Sequence, residues 1–284
     1  MPDTLPLRLV QRSAGVPGGP LNEDRTGSHV ARKTIFAWVI DGATSPDPSI
    51  EAPTGDTLGA WYAETLSGAL VDACEAAGPE PEAVLRRAMA RAATLWEAMA
   101  RGHDWPRWAT PFAAVTLVAA RKDEAGLIVQ GTALGDCPVF AVRAGGEVSA
   151  LFEPLGGVEA RRGGADEAAR EAMIAALKET RLAQLDAAPP HAATPGTDDL
   201  SGAAAIETVL AAGDRLLMCS DGLSRLWGEY GLSGRDAALA DIATPGGFGR
   251  ALDRLRAHEE AYARQDARLM KAGDDASMVL IVVG

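Results

Sequence analysis

Apolar runs that end in an acidic residue recur along this chain and constrain its fold more than any other feature. The run at 215–221, Arg-Leu-Leu-Met-Cys-Ser-Asp, ends in Asp221 and is followed by Gly222. Its length and composition are typical of a buried strand, so Asp221 would lie at a strand end beside a cleft. Gly222 would allow a sharp turn and the close approach of another group. Because Asp-Gly is also a common turn signal, a single copy of the pattern decides little.

Four further places repeat the pattern of an acidic residue next to a probable core strand. If these strand ends converge, the carboxylates repel one another and their pKa values rise. Hard cations such as Mg²⁺ or Mn²⁺ prefer oxygen ligands and would remove that cost. The four places are Glu23-Asp24, Asp41-Gly42, Asp136 and Asp274-Asp275.

Composition excludes several classes of protein. The 284 residues suit one large domain, and the hydrophobic fraction of 47% supports a sizeable core. The net charge of −12 argues against a nucleic-acid or anionic-membrane partner. Three cysteines without a CxxC spacing argue against a disulfide framework or structural zinc. No signal core or membrane span is recognised, so we expect a cytoplasmic protein. We also expect a monomer.

The hydrophobic periodicity predicts alternating groups of strands and helices, which is typical of a layered α+β domain. The four strands between 112 and 152 are separated by short turns and predict an antiparallel meander. A helix capped by Thr54 or Asp56 is expected to pair with the next helix over a sheet. The predicted strands are 4–12, 34–40, 112–120, 127–134, 138–142, 147–152, 206–210, 215–221 and 277–283. The other predicted helices are 80–101, 166–185, 223–230, 235–243 and 249–271.

Two segments resist assignment from sequence. The loop 103–108 carries Trp105 and Trp108, for which packing is favoured over contact with a substrate because aromatic side chains usually serve cores. Residues 154–204 combine a glycine-rich stretch, an amphipathic helix and a proline-rich loop. Because strands resume directly afterwards, we interpret 154–204 as a variable insertion within one domain.

Taken together, these motifs resemble the type 2C, metal-dependent Ser/Thr protein phosphatases (the PPM family), particularly the bacterial members. The resemblance spans about residues 8–283, with 154–204 matched poorly where relatives carry a flap beside the active site. It implies a single phosphatase domain over 1–284, built as a four-layer α/β/β/α sandwich of two antiparallel sheets flanked by helices. The matching motifs are Asn22-Glu-Asp24, Val39-Ile-Asp-Gly42, Leu134-Gly-Asp136, Gly213–Leu223 and Asp274-Asp275.

The resemblance also implies a role for each acidic residue. Mn²⁺ or Mg²⁺ would bind as two ions, with a third possible, and would activate a water for attack on the phosphorus of phosphoserine or phosphothreonine. No protein nucleophile is needed, and Asp41 and Asp221 would be the catalytic carboxylates. The implied metal ligands are Glu23, Asp41, the Gly42 carbonyl, Asp136, Asp221 and Asp274, and the implied supporting residues are Asp24 and Asp275.

Two positions depart from the pattern of eukaryotic relatives. The arginine that grips the substrate phosphate there corresponds to Gly19, and Arg12 or Arg25 are the proposed substitutes because a guanidinium suits phosphate. The histidine after Asp-Gly corresponds to Ala43. Losing a positioned acid costs about 10²–10⁴-fold in rate, so these changes are compatible with a slow enzyme as opposed to an inactive one.

Two alternatives therefore stay open beside a phosphatase acting on phosphorylated proteins. The first is a catalytically weak or inactive regulatory module that binds phosphoproteins, which the changes at Gly19 and Ala43 favour. The second is a phosphatase of small phosphate esters, which a closed pocket would favour over a shallow groove.

Overall fold

The computed structural model describes residues 6–18, 21–47, 49–154, 167–265 and 273–284. Gly19 and the stretches 155–166 and 266–272, which include part of the predicted insertion and the end of the last predicted helix, lie outside the described residues. The strands are β1 Leu7–Ala14, β2 Asp24–Ala31, β3 Thr34–Gly42, β4 Ala113–Asp123, β5 Gly126–Leu134, β6 Val139–Val142, β7 Val148–Phe152, β8 Ala204–Leu210, β9 Arg215–Cys219 and β10 Ala276–Val283. The helices are α1 Leu58–Ala76, α2 Pro81–Ala100, α3 Glu167–Leu185, α4 Asp221–Ser224, α5 Arg235–Ile242 and α6 Gly247–Gln265.

Two five-stranded antiparallel sheets form the centre of the molecule. One sheet has the order β1-β10-β9-β6-β7 and the other β2-β3-β4-β5-β8. Apolar side chains fill the space between the sheets, including Val39, Val118 and Met218. This arrangement confirms the predicted α+β sandwich with two central antiparallel sheets.

Helices cover the outer face of each sheet. On the β2–β8 sheet, Leu66 and Leu70 of α1 and Leu85 of α2 pack in one apolar layer with Trp38 of β3. On the other sheet, side chains of α5 and α6, including Leu239 and Leu255, pack against strand residues. Three apolar layers therefore separate four structural layers, as the family resemblance implied. No helix within the described ranges is long and apolar enough to cross a membrane.

Strand β2 was missed by the sequence analysis, which placed no strand between 12 and 34. Its sequence, Asp-Arg-Thr-Gly-Ser-His-Val-Ala, has little apolar alternation because β2 is an edge strand with a partly exposed surface. Gly27 is required there because a Cβ would collide with the Trp38 indole of the neighbouring strand. Tertiary packing, rather than local pattern, therefore creates this strand.

The predicted meander between 112 and 152 is wrong as one continuous unit. β4 pairs with β5 and β6 pairs with β7, but the two hairpins belong to different sheets. The chain crosses between sheets after Gly135, whose φ of +105° is accessible to glycine. Alternating hydrophobicity predicts strands but does not say whether the next strand pairs or crosses over.

Several predicted element ends also shift. Thr57, rather than Thr54 or Asp56, caps α1, and its hydroxyl accepts a hydrogen bond from Ala60 N at 3.0 Å. The helix predicted at 223–230 is the single turn α4, which begins at Asp221, so Asp221 begins a helix instead of ending a strand. β9 ends two residues earlier, at Cys219.

Candidate active site

Sheet topology brings the acidic strand ends to one end of the sandwich. In the β2–β8 sheet, Asp24 at the start of β2 pairs in register with Asp41 at the end of β3. The end of β5 lies beside the start of β4 in the same sheet, which places Asp136 at this end too. In the other sheet, Cys219 pairs with Met278, so the residues after β9 meet those before β10. Asp221 and Asp274-Asp275 therefore lie at neighbouring strand ends.

Asp41 is the centre of this acidic cluster. Burial is the largest cause that raises the pKa of Asp41 well above its usual value, and the charges of Asp24, Asp221, Asp274 and Asp136 add to the rise. Four other acids therefore act on one carboxyl group, as expected for converging strand ends. Asp136 is the outermost of them, since its side chain is exposed.

Asp24 lies deeper than Asp41 and is only 2% exposed. Burial raises the pKa of Asp24 to about 8, with the hydroxyls of Ser220 and Ser277 opposing the rise and the charges of Asp275 and Asp274 adding to it. Its Oδ2 atom is buried without a hydrogen-bond partner in the described part of the chain. A buried carboxylate oxygen without a donor is costly unless a cation or proton compensates it.

Glu23 is fixed by hydrogen bonds from three segments. Its Oε2 accepts from the Thr44 hydroxyl at 2.5 Å and its Oε1 from the Thr57 hydroxyl at 2.6 Å. Its backbone N–H donates to Asp275 Oδ2 at 2.7 Å. Asp275 also accepts from Val16 N at 3.1 Å, so it joins the loop before β2 to the start of β10. The Asp275 carboxylate thus fixes the position of the Glu23 backbone.

Two glycines allow this close packing. A Cβ on Gly42 would lie 2.7 Å from Gly59 O and 2.8 Å from Glu23 O. A Cβ on Gly222 would collide with the Asp275 carbonyl oxygen. The glycine of each Asp-Gly motif is therefore required for backbone approach, as the sequence analysis expected for Gly222.

Asp274 makes an ion pair that the sequence did not predict. Arg225, at the end of α4, donates to Asp274 Oδ2 at 2.7 Å. Arg256 of α6 donates to the backbone oxygen of Asp274 at 2.8 Å and to Glu259 Oε2 at 2.6 Å. The 49-residue separation of Arg225 and Asp274 left no signal in the sequence that could have found the pair.

The proposed phosphate-binding arginines lie in different environments. Arg12 is exposed and donates to the neighbouring Gln11 carbonyl at 2.8 Å, with no contact to the acidic cluster recorded in the described structure. Arg25 stands at the acidic end, where it donates to Glu64 at 2.6 Å and to the Asp24 carbonyl at 2.8 Å. Geometry therefore favours Arg25 over Arg12.

A further arginine reaches the site from the insertion. Arg181 of α3 donates to the Thr44 carbonyl at 3.0 Å, and its guanidinium lies 4.4 Å from the centre of the Phe112 ring. It lines a small cavity together with Ala43 and Trp108. Sequence reasoning missed Arg181 because 154–204 carries no recognisable motif.

Both tryptophans of the loop 103–108 pack against other side chains of the protein. Trp105 stacks on Trp96 with ring centres 5.5 Å apart. The Lys178 ammonium lies 4.2 Å from the centre of the Trp108 ring and 3.2 Å from Asp47 Oδ2. These contacts attach α3 to the loop that follows Asp41.

The donor set fits hard divalent cations. All of the acidic side chains offer oxygen, and the raised pKa values together with the orphaned Asp24 oxygen indicate negative charge that a cation would relieve. Among the described residues, no three His, Cys, Asp or Glu side chains already form a metal-binding group. Side-chain adjustment, for example at the Arg225–Asp274 pair, would therefore accompany binding.

A two-sheet sandwich with an oxygen-rich acidic cluster at one end defines a protein with a candidate site for hard divalent cations. Residues 16–272 match the family model described as protein phosphatase 2C, and the chain belongs to this family. It is accordingly a metal-dependent protein-serine/threonine phosphatase that uses Mn²⁺ or Mg²⁺. No curated protein sequence matches the chain significantly.

Solved structures share the fold at low sequence identity. PppA, a regulatory component of T6SS in Pseudomonas aeruginosa, is 16% identical with a TM-score of 0.57, and 98% of each chain is covered. The Mycobacterium tuberculosis phosphatase PstP is 17% identical with a TM-score of 0.55 and the same coverage. A PstP catalytic domain in complex with two manganese ions is 19% identical with a TM-score of 0.53, and 99% of each chain is covered.

Proposed function

We propose that this chain dephosphorylates phosphoserine and phosphothreonine in proteins at the acidic end of its sandwich. The observation that carries the proposal is the convergence of four other acids on Asp41, whose charges add to the effect of burial in raising the pKa of that residue. Bound Mn²⁺ or Mg²⁺ would neutralise charge on the phosphoryl oxygens and lower the pKa of the attacking water. The proposed ligands are Glu23, Asp41, the Gly42 carbonyl, Asp136, Asp221 and Asp274.

The surrounding residues would orient these ligands. Thr44 and Thr57 hold the two Glu23 oxygens, and Asp275 holds the Glu23 backbone. Asp24 would support Asp41 from the neighbouring strand, since the two residues are register partners. Such supporting contacts fix the orientation of the ligands, and losing one of them is expected to weaken metal binding.

Arg25 is the proposed group for the substrate phosphate, and α3 is the proposed wall of the substrate cleft. Arg25 stands next to Asp24 but is held by Glu64, so it would exchange a carboxylate partner for a phosphate. Arg181 and Lys178 attach α3 to the loop after Asp41. We propose that the segment 154–204 contributes this wall of the substrate cleft and belongs to a single domain spanning 1–284.

The chain is further proposed to act as a monomer in the cytoplasm, without a nucleic-acid or membrane partner. The net charge of −12 supports the lack of a nucleic-acid or membrane partner, because anionic polymers and surfaces would repel the protein. Cys74, Cys137 and Cys219 are free and buried, which suits a reducing compartment.

Hydrolysis of a phosphothreonine peptide and of p-nitrophenyl phosphate, with Mn²⁺, Mg²⁺ or EDTA, tests the proposal. We expect metal-dependent release that Asp221→Asn abolishes and that Asp72→Asn, on the exposed face of α1, leaves unchanged. Release only from the small ester would favour the small-ester phosphatase. Peptide binding without release would favour the regulatory module, and neither alternative is better supported by the family.

A further inference from the structure

Arg225 places a guanidinium inside the acidic cluster. It follows Asp221 by four residues, and its side chain is only 17% exposed. The guanidinium lies 2.7 Å from Asp274 Oδ2 and 3.4 Å from Glu229 Oε2. Arg225 is thus a partly buried cation next to two of the proposed metal ligands.

The charge of Arg225 is permanent and directed at the cluster. Burial opposes the charged form, yet the charges of Asp274 and Asp221 raise the pKa of Arg225 above its already high value. Arg256 differs, because it donates to the Asp274 backbone and is paired with the buried Glu259. Arg225, by contrast, contacts the carboxylate of Asp274 itself.

We propose that Arg225 is a built-in cation of this centre, which competes with divalent ions for Asp274 and so lowers the metal affinity of the enzyme. The inference rests on the proposed function, since it assumes that Asp274 is a ligand. Its consequence is regulatory: the fraction of enzyme that is loaded would follow the concentration of available metal.

Both carboxylate oxygens of Asp274 already have donors. Oδ2 accepts from Arg225, and Oδ1 accepts from Asp275 N at 3.1 Å. A divalent ion at Asp274 must therefore displace Arg225 or lie beside a like charge within a few ångströms, where repulsion in a poorly solvated site is large.

Removing Arg225 should not release Asp274 from its position. The Asp275 N–H holds Oδ1, and Arg256 holds the Asp274 carbonyl oxygen. Relief of repulsion is therefore expected to outweigh the loss of orientation, and a neutral residue at 225 should strengthen metal binding. A purely structural role for Arg225 predicts the opposite sign.

The test is calorimetric titration of the metal-stripped protein with Mn²⁺ at low ionic strength. Arg225→Gln is expected to bind at least about tenfold more tightly than the wild type, and Arg225→Lys, which keeps the charge, is expected to bind like the wild type. Equal or weaker binding by Arg225→Gln would overturn the proposal. If Arg225→Gln does not fold, Arg225→Met, whose unbranched stem keeps the packing, is titrated with the same two outcomes.

Asp41→Asn separates this inference from the proposed function. Heat released by the wild type but not by Asp41→Asn places binding at the proposed centre, and the Arg225 comparison is then decisive by itself. Binding that Asp41→Asn leaves intact, or no binding by the wild type, would overturn the proposed centre and the Arg225 proposal with it.

Discussion

Asp214 and Asp24 are both buried aspartates, yet their surroundings differ in kind. Asp214 is 6% exposed and accepts from Ala144 N at 2.9 Å, from Ala211 N at 3.0 Å and from Arg143 at 2.9 Å. Although burial alone would raise the pKa of Asp214, these donors lower it. Asp24 has an orphaned oxygen, and its pKa is raised to about 8.

The contrast in hydrogen bonding shows that Asp214 stabilises the fold, whereas the acids at the acidic end destabilise it. A turn can satisfy a buried carboxylate completely with two amides and one arginine, as at Asp214. The acidic end instead concentrates carboxylates around Asp41, where burial and the neighbouring charges raise the pKa of that residue. Such a concentration of buried acids is typical of a functional site, and their mutual repulsion is a cost to stability in the absence of cations.

The largest expected effect is on activity at the acidic end. Asp41→Asn should lower kcat by about 10³-fold or more, because it removes the carboxylate at the centre of the proposed metal site. The variant should fold at least as stably as the metal-free wild type, since a repelling charge is gone. Steady-state kinetics with Mn²⁺ and thermal unfolding measure the two results. Wild-type kcat would contradict the site assignment.

Bound metal should offset the destabilisation that charge repulsion causes at the acidic end. Mn²⁺ at 100 times its Kd should stabilise the wild type by about 2.7 kcal/mol, seen as a rise in Tm that EDTA cancels. Asp41→Asn should show little of this rise, whereas Asp72→Asn should show all of it. An equal rise in Asp41→Asn would mean that Mn²⁺ binds elsewhere.

Asp214→Asn should affect stability and leave the chemistry intact. The substitution replaces one acceptor oxygen by an NH2 donor, which must face either the Ala144 amide or the Ala211 amide and Arg143. The lost bonds should cost roughly 1–3 kcal/mol. Urea unfolding gives the free energy, and kcat per folded molecule should match the wild type. A large loss of kcat in folded Asp214→Asn would erase the contrast between the two regions.

The position of the acidic residues was predictable because local sequence encodes strand ends. Asp41 and Asp221 each follow an apolar run, and antiparallel neighbours bring such ends together. The sequence could not reveal that β2 exists, since its residues are polar and Gly27 is explained only by the Trp38 ring above it. It likewise could not show the crossing between sheets at Gly135.

The contacts that tune the site were the least predictable. Arg225 and Arg181 look like ordinary charges on helices, and only the tertiary structure brings them to Asp274 and Thr44. The N-cap of α1 is Thr57, one residue after the predicted cap at Asp56. The hydrogen bond from the Thr57 hydroxyl to Glu23 depends on the packing of α1 and was not predictable. Long-range partners carry no spacing rule that one sequence can display.

Thr57→Val is expected to have a smaller effect on stability and on metal binding. It removes the N-cap of α1 and the hydroxyl bonded to Glu23, which should cost about 1 kcal/mol and weaken Mn²⁺ binding. Thr57→Ser keeps the hydroxyl and should retain both properties. Urea unfolding and Mn²⁺ titration measure the two losses, and a valine variant indistinguishable from the serine variant would contradict the role.

The smallest expected effect is the pH dependence of the Asp214 contribution. Since the pKa of Asp214 is lowered on folding, its stabilisation is present above its unfolded pKa of about 3.8 and is lost as pH falls through the folded value. The stability difference between wild type and Asp214→Asn should therefore be constant from pH 7 to 5 and narrow below about pH 4. Urea unfolding across this range measures the difference, and a gap that widens on acidification would show that Asp214 is not the satisfied acid of the pair.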